Sequence, residues 1–224
     1  MGDHSLTPSE ASAPLTLQAI EVTGVRGSER LFQNLSFAIA SGELVWLRGT
    51  NGSGKTTLLR LVTGLAAPES GSITWNGEPV RKSPDYRSAL VHLGHHNGLK
   101  DDLTALESLR FLCQLHGRKV TADTLDNALR TMGIYHRRHL PSRVLSQGQK
   151  KRVALARLVL ENQQGLWVLD EPFDALDDSG AAIVNSLLQS HVHRGGSVLL
   201  TSHIPVKIDG IAVRELALDN SPVS

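Results

Sequence analysis

The stretch Gly49-Thr50-Asn51-Gly52-Ser53-Gly54-Lys55-Thr56-Thr57 stands between an apolar run, Leu44 to Leu47, and an apolar helical pattern, Leu58, Leu61 and Val62. It fits the pattern G-x-x-x-x-G-K-[ST] in the strand-then-helix setting that a phosphate-binding loop requires. The glycines let the backbone wind tightly, so that successive N–H groups turn toward phosphate oxygens, and the helix that begins there adds its positive dipole end. Lys55 is placed to reach the β- and γ-phosphates of a nucleotide, and the Thr56 hydroxyl to ligate Mg²⁺. The competing reading, a Gly-rich turn ahead of a helix, is weakened by a full match with both flanks in place.

On the N-terminal side, Glu43 to Leu47 reads as the buried strand that delivers the loop. Leu35 to Ala40 alternates Leu35, Phe37 and Ile39 against Ser36, Ala38 and Ala40, and Leu15 to Val22 is also β-like. Gly24 to Arg30, with its glycines and mixed charges, reads as a turn. Met1 to Pro14, rich in Ser, Ala and Pro, reads as a disordered leader, and 219–224 as a tail. On the C-terminal side the helix should stop near Gly64, Ser72 to Trp75 followed by Asn76-Gly77 reads as a strand with a hairpin turn, and Leu90 to Leu93 as another strand.

Beyond Leu93 the pattern turns helical. Thr104-Ala105-Leu106-Glu107 is a capping box that opens a helix with Leu106, Leu109, Leu112 and Cys113 on one face. A second helix near Ala122 to Met132 sets Leu125, Ala128, Leu129 and Met132 at the same spacing and ends at Gly133. Ser146-Gln147-Gly148-Gln149 repeats the capping-box chemistry and opens a third, through about Leu160. This helical stretch, about 98–160, is a candidate lobe inserted in the core. Leu166 to Leu169 is a short apolar run ending in Asp170-Glu171, as expected of a buried parallel strand with carboxylates at its C-terminal edge. Val198 to Thr201 ends likewise in Ser202-His203, and Ile211 to Leu218 is a weaker β pattern.

The 224 residues suffice for one α/β core with an inserted lobe, and 23 basic against 22 acidic side chains leave a formal charge of +1. No strong field points to nucleic acid or an anionic membrane. The lone cysteine, Cys113, excludes an internal disulfide and suits a reducing compartment. No apolar run approaches the roughly twenty residues that span a bilayer, so a soluble protein is expected, with any membrane role exercised through a partner.

Three features now stand in one order: the phosphate loop; Leu145-Ser146-Gln147-Gly148-Gln149; and Asp170-Glu171-Pro172, followed by Asp174-Ala175-Leu176-Asp177 and then His203. Over essentially all of Leu15 to Leu218 this order resembles the nucleotide-binding domain of ATP-binding cassette (ABC) proteins. The LSxGQ pentapeptide is the specific element. The resemblance implies an α/β P-loop NTPase fold with an antiparallel β layer and an inserted helical subdomain, spanning 15–218. It implies an ATPase in which Asp170 and Thr56 hold Mg²⁺, Glu171 orients or deprotonates the attacking water, and His203 and Lys55 act on the γ-phosphate. Residues Gly49 to Thr57 would bind the nucleotide. Ser146, Gly148 and Gln149 would face the γ-phosphate held by a second copy, with Asp177 coupling the two sites, so a head-to-tail homodimer with two ATP molecules is expected.

Two positions depart from the common cassette pattern. Where most members carry an adenine-stacking aromatic, this chain has Arg26, whose guanidinium can still stack on a base. Where most have a glutamine that contacts Mg²⁺ and water, Gly94-His95-His96-Asn97-Gly98 places His95, or alternatively His96.

The segments Leu93 to Gly117, Arg152 to Leu158 and Asp170 to Asp177 further resemble the CcmA family, the ATPase subunits of cytochrome c maturation complexes also called haem exporters. That resemblance implies a peripheral subunit on the cytoplasmic face of a bacterial inner membrane, with membrane partners CcmB, CcmC and CcmD. It links ATP hydrolysis to haem export or to release of the haem-loaded chaperone CcmE. An ABC ATPase for another cargo, or a non-transport assembly module, is the alternative. His92, His95 and His96 do not read as a haem site, since no Cys accompanies them and side-chain directions differ along the strand. Lys150-Lys151-Arg152 with Arg157 reads as a solvated basic face of the helix after the signature.

Overall fold

A computed structural model describes residues 16–218, so the expected leader 1–14 and tail 219–224 lie outside the described residues, as does Leu15. Strands β1 (Thr16–Arg26) and β2 (Glu29–Ala40) form a long hairpin, and β3 (Leu44–Arg48) leads into helix α1 (Lys55–Val62). Strands β4 (Ser70–Trp75) and β5 (Glu78–Pro79) flank the Asn76-Gly77 turn, where both residues have positive φ, 51° and 84°. Then come α2 (Pro84–Ala89), β6 (Leu90–Leu93), α3 (Ala105–Leu115), α4 (Ala122–Thr131) and α5 (Gln147–Val159). The remaining elements are β7 (Leu166–Leu169), α6 (Asp178–His193), β8 (Ser197–Thr201) and β9 (Val213–Ala217).

An antiparallel sheet of order β2-β1-β4-β5 lies beside a five-stranded sheet of order β6-β7-β8-β3-β9, whose neighbouring strands all run parallel. The composition dictates this division. β7 and β8 are buried along their whole length, as strands covered on both faces must be. β2 alternates exposed and less exposed residues from Leu35 onward, as a strand with one wet face must. The period of two also splits the core. Val45 and Leu47 of β3 pack with Leu17, Ile39, Leu58 and Trp75 in a core shared by the antiparallel sheet and α1. Leu44 and Trp46, pointing the other way, pack with Leu109, Leu125, Leu155 and Leu188 in a core shared with α3 to α6.

Two expectations are corrected and one omission is filled. Gly24 to Arg30 is not a turn: β1 continues to Arg26 and β2 starts at Glu29, so the reversal is confined to Gly27 and Ser28. Gly24 lies within β1 because the Phe32 ring of β2 packs on it; a Cβ there would sit 2.2 Å from Phe32 Cζ. The basic face after the signature is not solvated. Lys151 and Arg157 are only 6% and 3% exposed, and the Arg157 guanidinium donates to the His92 carbonyl at 2.8 Å. Finally, 178–193 forms a helix of 16 residues that the sequence reading left unassigned, although Ile183, Val184, Leu187, Leu188 and Val192 carry its period. Inside it His191 is fully buried, stacked on Trp167 at 3.8 Å between ring centroids.

Candidate nucleotide site

The phosphate loop needs its glycines for backbone shape and, at Gly49 and Gly54, for space as well. Gly52 and Gly54 adopt φ of 88° and 100°, in the left-handed region that favours glycine. A Cβ on Gly54 would also lie 3.0 Å from Phe32 Cδ1 and 3.1 Å from Leu31 Cβ. The antiparallel sheet therefore presses directly on the start of α1. Gly54 caps that helix without any side-chain bond, which leaves its first backbone N–H groups for an anion. The Lys55 ammonium folds back over the loop and donates to the Gly49 and Thr50 carbonyls at 2.6 and 3.1 Å. Ser53 is buried beneath, its hydroxyl against Gly49.

Facing the loop, the ends of β7 and β8 are tied by one hydroxyl. Thr201 Oγ1 donates to Asp170 Oδ1 at 2.7 Å and accepts from the Glu171 backbone N–H at 2.9 Å. Thr201 is fully buried, and the sequence reading gave it no role. Its signal was its place as the last residue of an apolar strand whose neighbour ends in two carboxylates. Glu171 has φ of 49°, an uncommon backbone for a non-glycine residue, and its carboxylate accepts from the His203 N–H at 3.0 Å. His203 Nε2 lies 3.5 Å from the other carboxylate oxygen. Burial pushes the Glu171 carboxyl above its ordinary value, while His203 draws it back.

These groups converge on a cleft of about 300 Å³ lined by Asn51, Gly52, Gly54, Lys55, Thr56 and Thr57, together with Arg26, His95, Asp170, Glu171 and His203. Gly49, Thr50 and Lys55 also line an adjoining cleft with His203. The donor set fits a nucleotide with Mg²⁺. A small divalent ion that keeps phosphate and water ligands needs a hydroxyl and one or two carboxylates, and Thr56 and Asp170 supply them without an all-protein cage. His95 lines this cleft, whereas His96 does not and lines a neighbouring groove that His92 and His95 share. Arg26 sits at the edge, paired with Glu29 at 3.5 Å in solvent.

Ser146, Gly148, Gln149 and Asp177 do not line that cleft. Ser146 caps α5, its hydroxyl accepting from the Gln149 N–H while the Gln149 side chain accepts from the Ser146 N–H. Gly148 is pressed on the segment after Glu171: a Cβ there would be 2.4 Å from the Ala175 carbonyl oxygen. One turn on, Arg152 donates to Asp177 Oδ1 at 2.5 Å, to Ser179 Oγ at 2.7 Å and to the Met132 carbonyl at 2.7 Å. Asp177 caps α6 by accepting from the Gly180 N–H, which with Ser179 holds its carboxyl below the ordinary value. Lys151, between these contacts, is buried toward Asp174, Asp170 and Glu171; desolvation lowers its pKa and the three carboxylates oppose that shift.

Residues 32–174, more than half of the chain, match the ABC transporter family. A cytochrome c biogenesis ATP-binding export protein CcmA from Nitrosomonas europaea is 46% identical over 90% of this chain and 95% of its own length. The CcmA protein of Pseudomonas aeruginosa is 48% identical over 84% of this chain and 92% of its own. A solved dimeric ATP-binding cassette, in a post-hydrolysis state bound to ADP and phosphate, superposes with a TM-score of 0.73 at 24% identity, covering 84% of this chain and 88% of that one. The chain belongs to the ABC transporter ATP-binding family and, within it, to the CcmA family.

Proposed function

We propose that this chain is the ATP-hydrolysing subunit of an ABC exporter for cytochrome c biogenesis, working as a head-to-tail homodimer with two ATP molecules. The observation that carries the dimer is that the cleft holds the phosphate loop, Asp170, Glu171 and His203 but not Ser146 to Gln149, whose helix N-terminus is a ready lid for the γ-phosphate of a second copy. The dimeric state of the superposed cassette supports it.

Gly49 to Thr57 bind the phosphates, with Lys55 turning from the loop carbonyls to the γ-phosphate. Thr56 and Asp170 hold Mg²⁺, with His95 beside them; the ion neutralises phosphate charge when bound. Glu171 orients and deprotonates the attacking water, a role suited to a carboxylate whose pKa burial has raised. His203 stabilises the charge that develops on the γ-phosphate. Arg26 stacks on the base, and Asp177 relays between the two sites.

The family names of its relatives support a role in cytochrome c biogenesis. Among the described residues no helix is long and apolar enough to cross a membrane; the family of its relatives supports a peripheral subunit on the cytoplasmic face of a bacterial inner membrane. Its partners are then membrane subunits of the CcmB, CcmC and CcmD type, and its turnover drives haem export or release of haem-loaded CcmE. The test is a deletion strain assayed for covalent haem in c-type cytochromes. Wild-type protein restores it and Lys55→Ala does not; restoration by Lys55→Ala would overturn the reading.

A further inference from the structure

We infer that Trp46 is a positioning residue for hydrolysis, its indole N–H fixing the turn that holds His203 against Glu171. The inference rests on the roles proposed above for those two residues. Trp46 lies in β3, three residues before the phosphate loop begins, and is 8% exposed. A buried indole N–H needs an acceptor, and this one does not find it in a strand ladder. It is opposite Leu200 in the register of β3 and β8, yet donates further along to the Ser202 carbonyl at 3.2 Å.

The Ser202 to Ile204 turn is thus anchored from two sides. Glu171 Oε2 accepts from the His203 N–H on the β7 side, and Trp46 holds the preceding carbonyl on the β3 side. Within the turn Ser202 Oγ bonds to both the carbonyl and the N–H of Ile204, at 2.8 and 3.1 Å. The indole is itself backed by the Arg48 guanidinium, 4.8 Å above its ring, which is paired with Glu215 at 2.7 Å. Because the strand that carries Trp46 also delivers the loop, one hydrogen bond sets His203 relative to the phosphates as well as to Glu171. Without it the turn keeps its inner bonds and the ladder that ends at Leu47 and Thr201, but loses the bond that ties its Ser202 carbonyl to β3 beyond the end of that ladder.

The experiment measures ATPase turnover of the full-length protein with Mg-ATP for wild type, Trp46→Phe, Trp46→His, His203→Ala and the double variant Trp46→Phe/His203→Ala. Trp46→Phe keeps the apolar ring and removes the donor, and should lower kcat about five- to tenfold with KM within about twofold. Trp46→His retains a ring N–H and should stay within about threefold of wild-type kcat. In the His203→Ala background Trp46→Phe should cost nothing further, which a general loss of packing would not produce. Should the phenylalanine variant not fold, Trp46→Leu is read in the same way. Wild-type kcat in Trp46→Phe beside a slowed His203→Ala overturns the role of Trp46 alone, as does full multiplication of the two losses. Wild-type turnover in His203→Ala removes the role of His203 and this one with it.

Discussion

Thr201 donates its hydroxyl to Asp170 Oδ1 across 2.7 Å, joining the C-terminal ends of β8 and β7. The same oxygen accepts from the Glu171 N–H, so one side chain orients two consecutive acidic residues. Thr201→Val keeps the shape and leaves both partners unpaired in a buried place. It should lower unfolding free energy by about 1–3 kcal/mol and reduce phosphate release, whereas Thr201→Ser should retain most of both. Urea unfolding and a steady-state phosphate assay check this; wild-type values for Thr201→Val in both would refute it.

Gly148→Ala should be costlier than its single methyl suggests. The new Cβ would meet the Ala175 carbonyl at 2.4 Å, and that neighbour is backbone, which cannot swing aside. A loss of about 1–3 kcal/mol is expected from the overpacking. Nucleotide affinity of the monomer should be unchanged, since Gly148 does not line the cleft. Calorimetric titration of ATP beside thermal unfolding separates the two effects.

Stability should fall in acid through His191. Burial holds this histidine neutral, its pKa at about 4 against the ordinary 6.5. Between those values the unfolded chain takes up a proton that the folded chain refuses, so stability is intact above about pH 6.5 and declines toward pH 4. The full effect is on the order of 3 kcal/mol. His191→Phe keeps a ring against Trp167 and removes the titration, so its unfolding free energy should lose this part of the pH slope between pH 6.5 and 4. Equal slopes for the two proteins would exclude His191 as the source.

Glu171→Gln should retain ATP and accumulate as a dimer. The amide is the same size and cannot accept the proton of water, so the nucleotide that joins two copies persists. Gel filtration with ATP would show the shift to a dimer. Turnover equal to wild type would remove Glu171 as the base.

The phosphate loop and the strands around it were legible because each rests on local pattern: a buried apolar run, glycines at fixed offsets, a helix beginning at Lys55. Caps at Thr104 and Ser146 were legible for the same reason, since a capping box is complete within four residues. What escaped depends on distant partners. Gly24 looked like a turn until Phe32, from the next strand, needed the space of its missing side chain. Lys151 and Arg157 looked solvated because charge is the local signal, while the carboxylates that offset their burial, Asp174, Asp170 and Glu171 for the first and Glu161 for the second, come close only through packing. Thr201 was an ordinary strand end until β7 came alongside. The sixteen residues of α6 are a plainer omission, for their period was present in the chain.

The grip of α5 on the segment after Glu171 has a mechanical consequence. Gly148 meets Ala175 backbone to backbone, and Arg152 spans from Met132, at the end of α4, to Asp177 and Ser179. The first joint has no side chain to give way, and the second, though carried by a long side chain, is fixed at its guanidinium by three acceptors. A membrane partner that pushes on α3 or α4 would therefore have leverage on the strand end that carries Glu171, by way of the helix that opens with Ser146. Contacts that run from the end of α4 through α5 to the segment after Glu171 are thus complete within one chain.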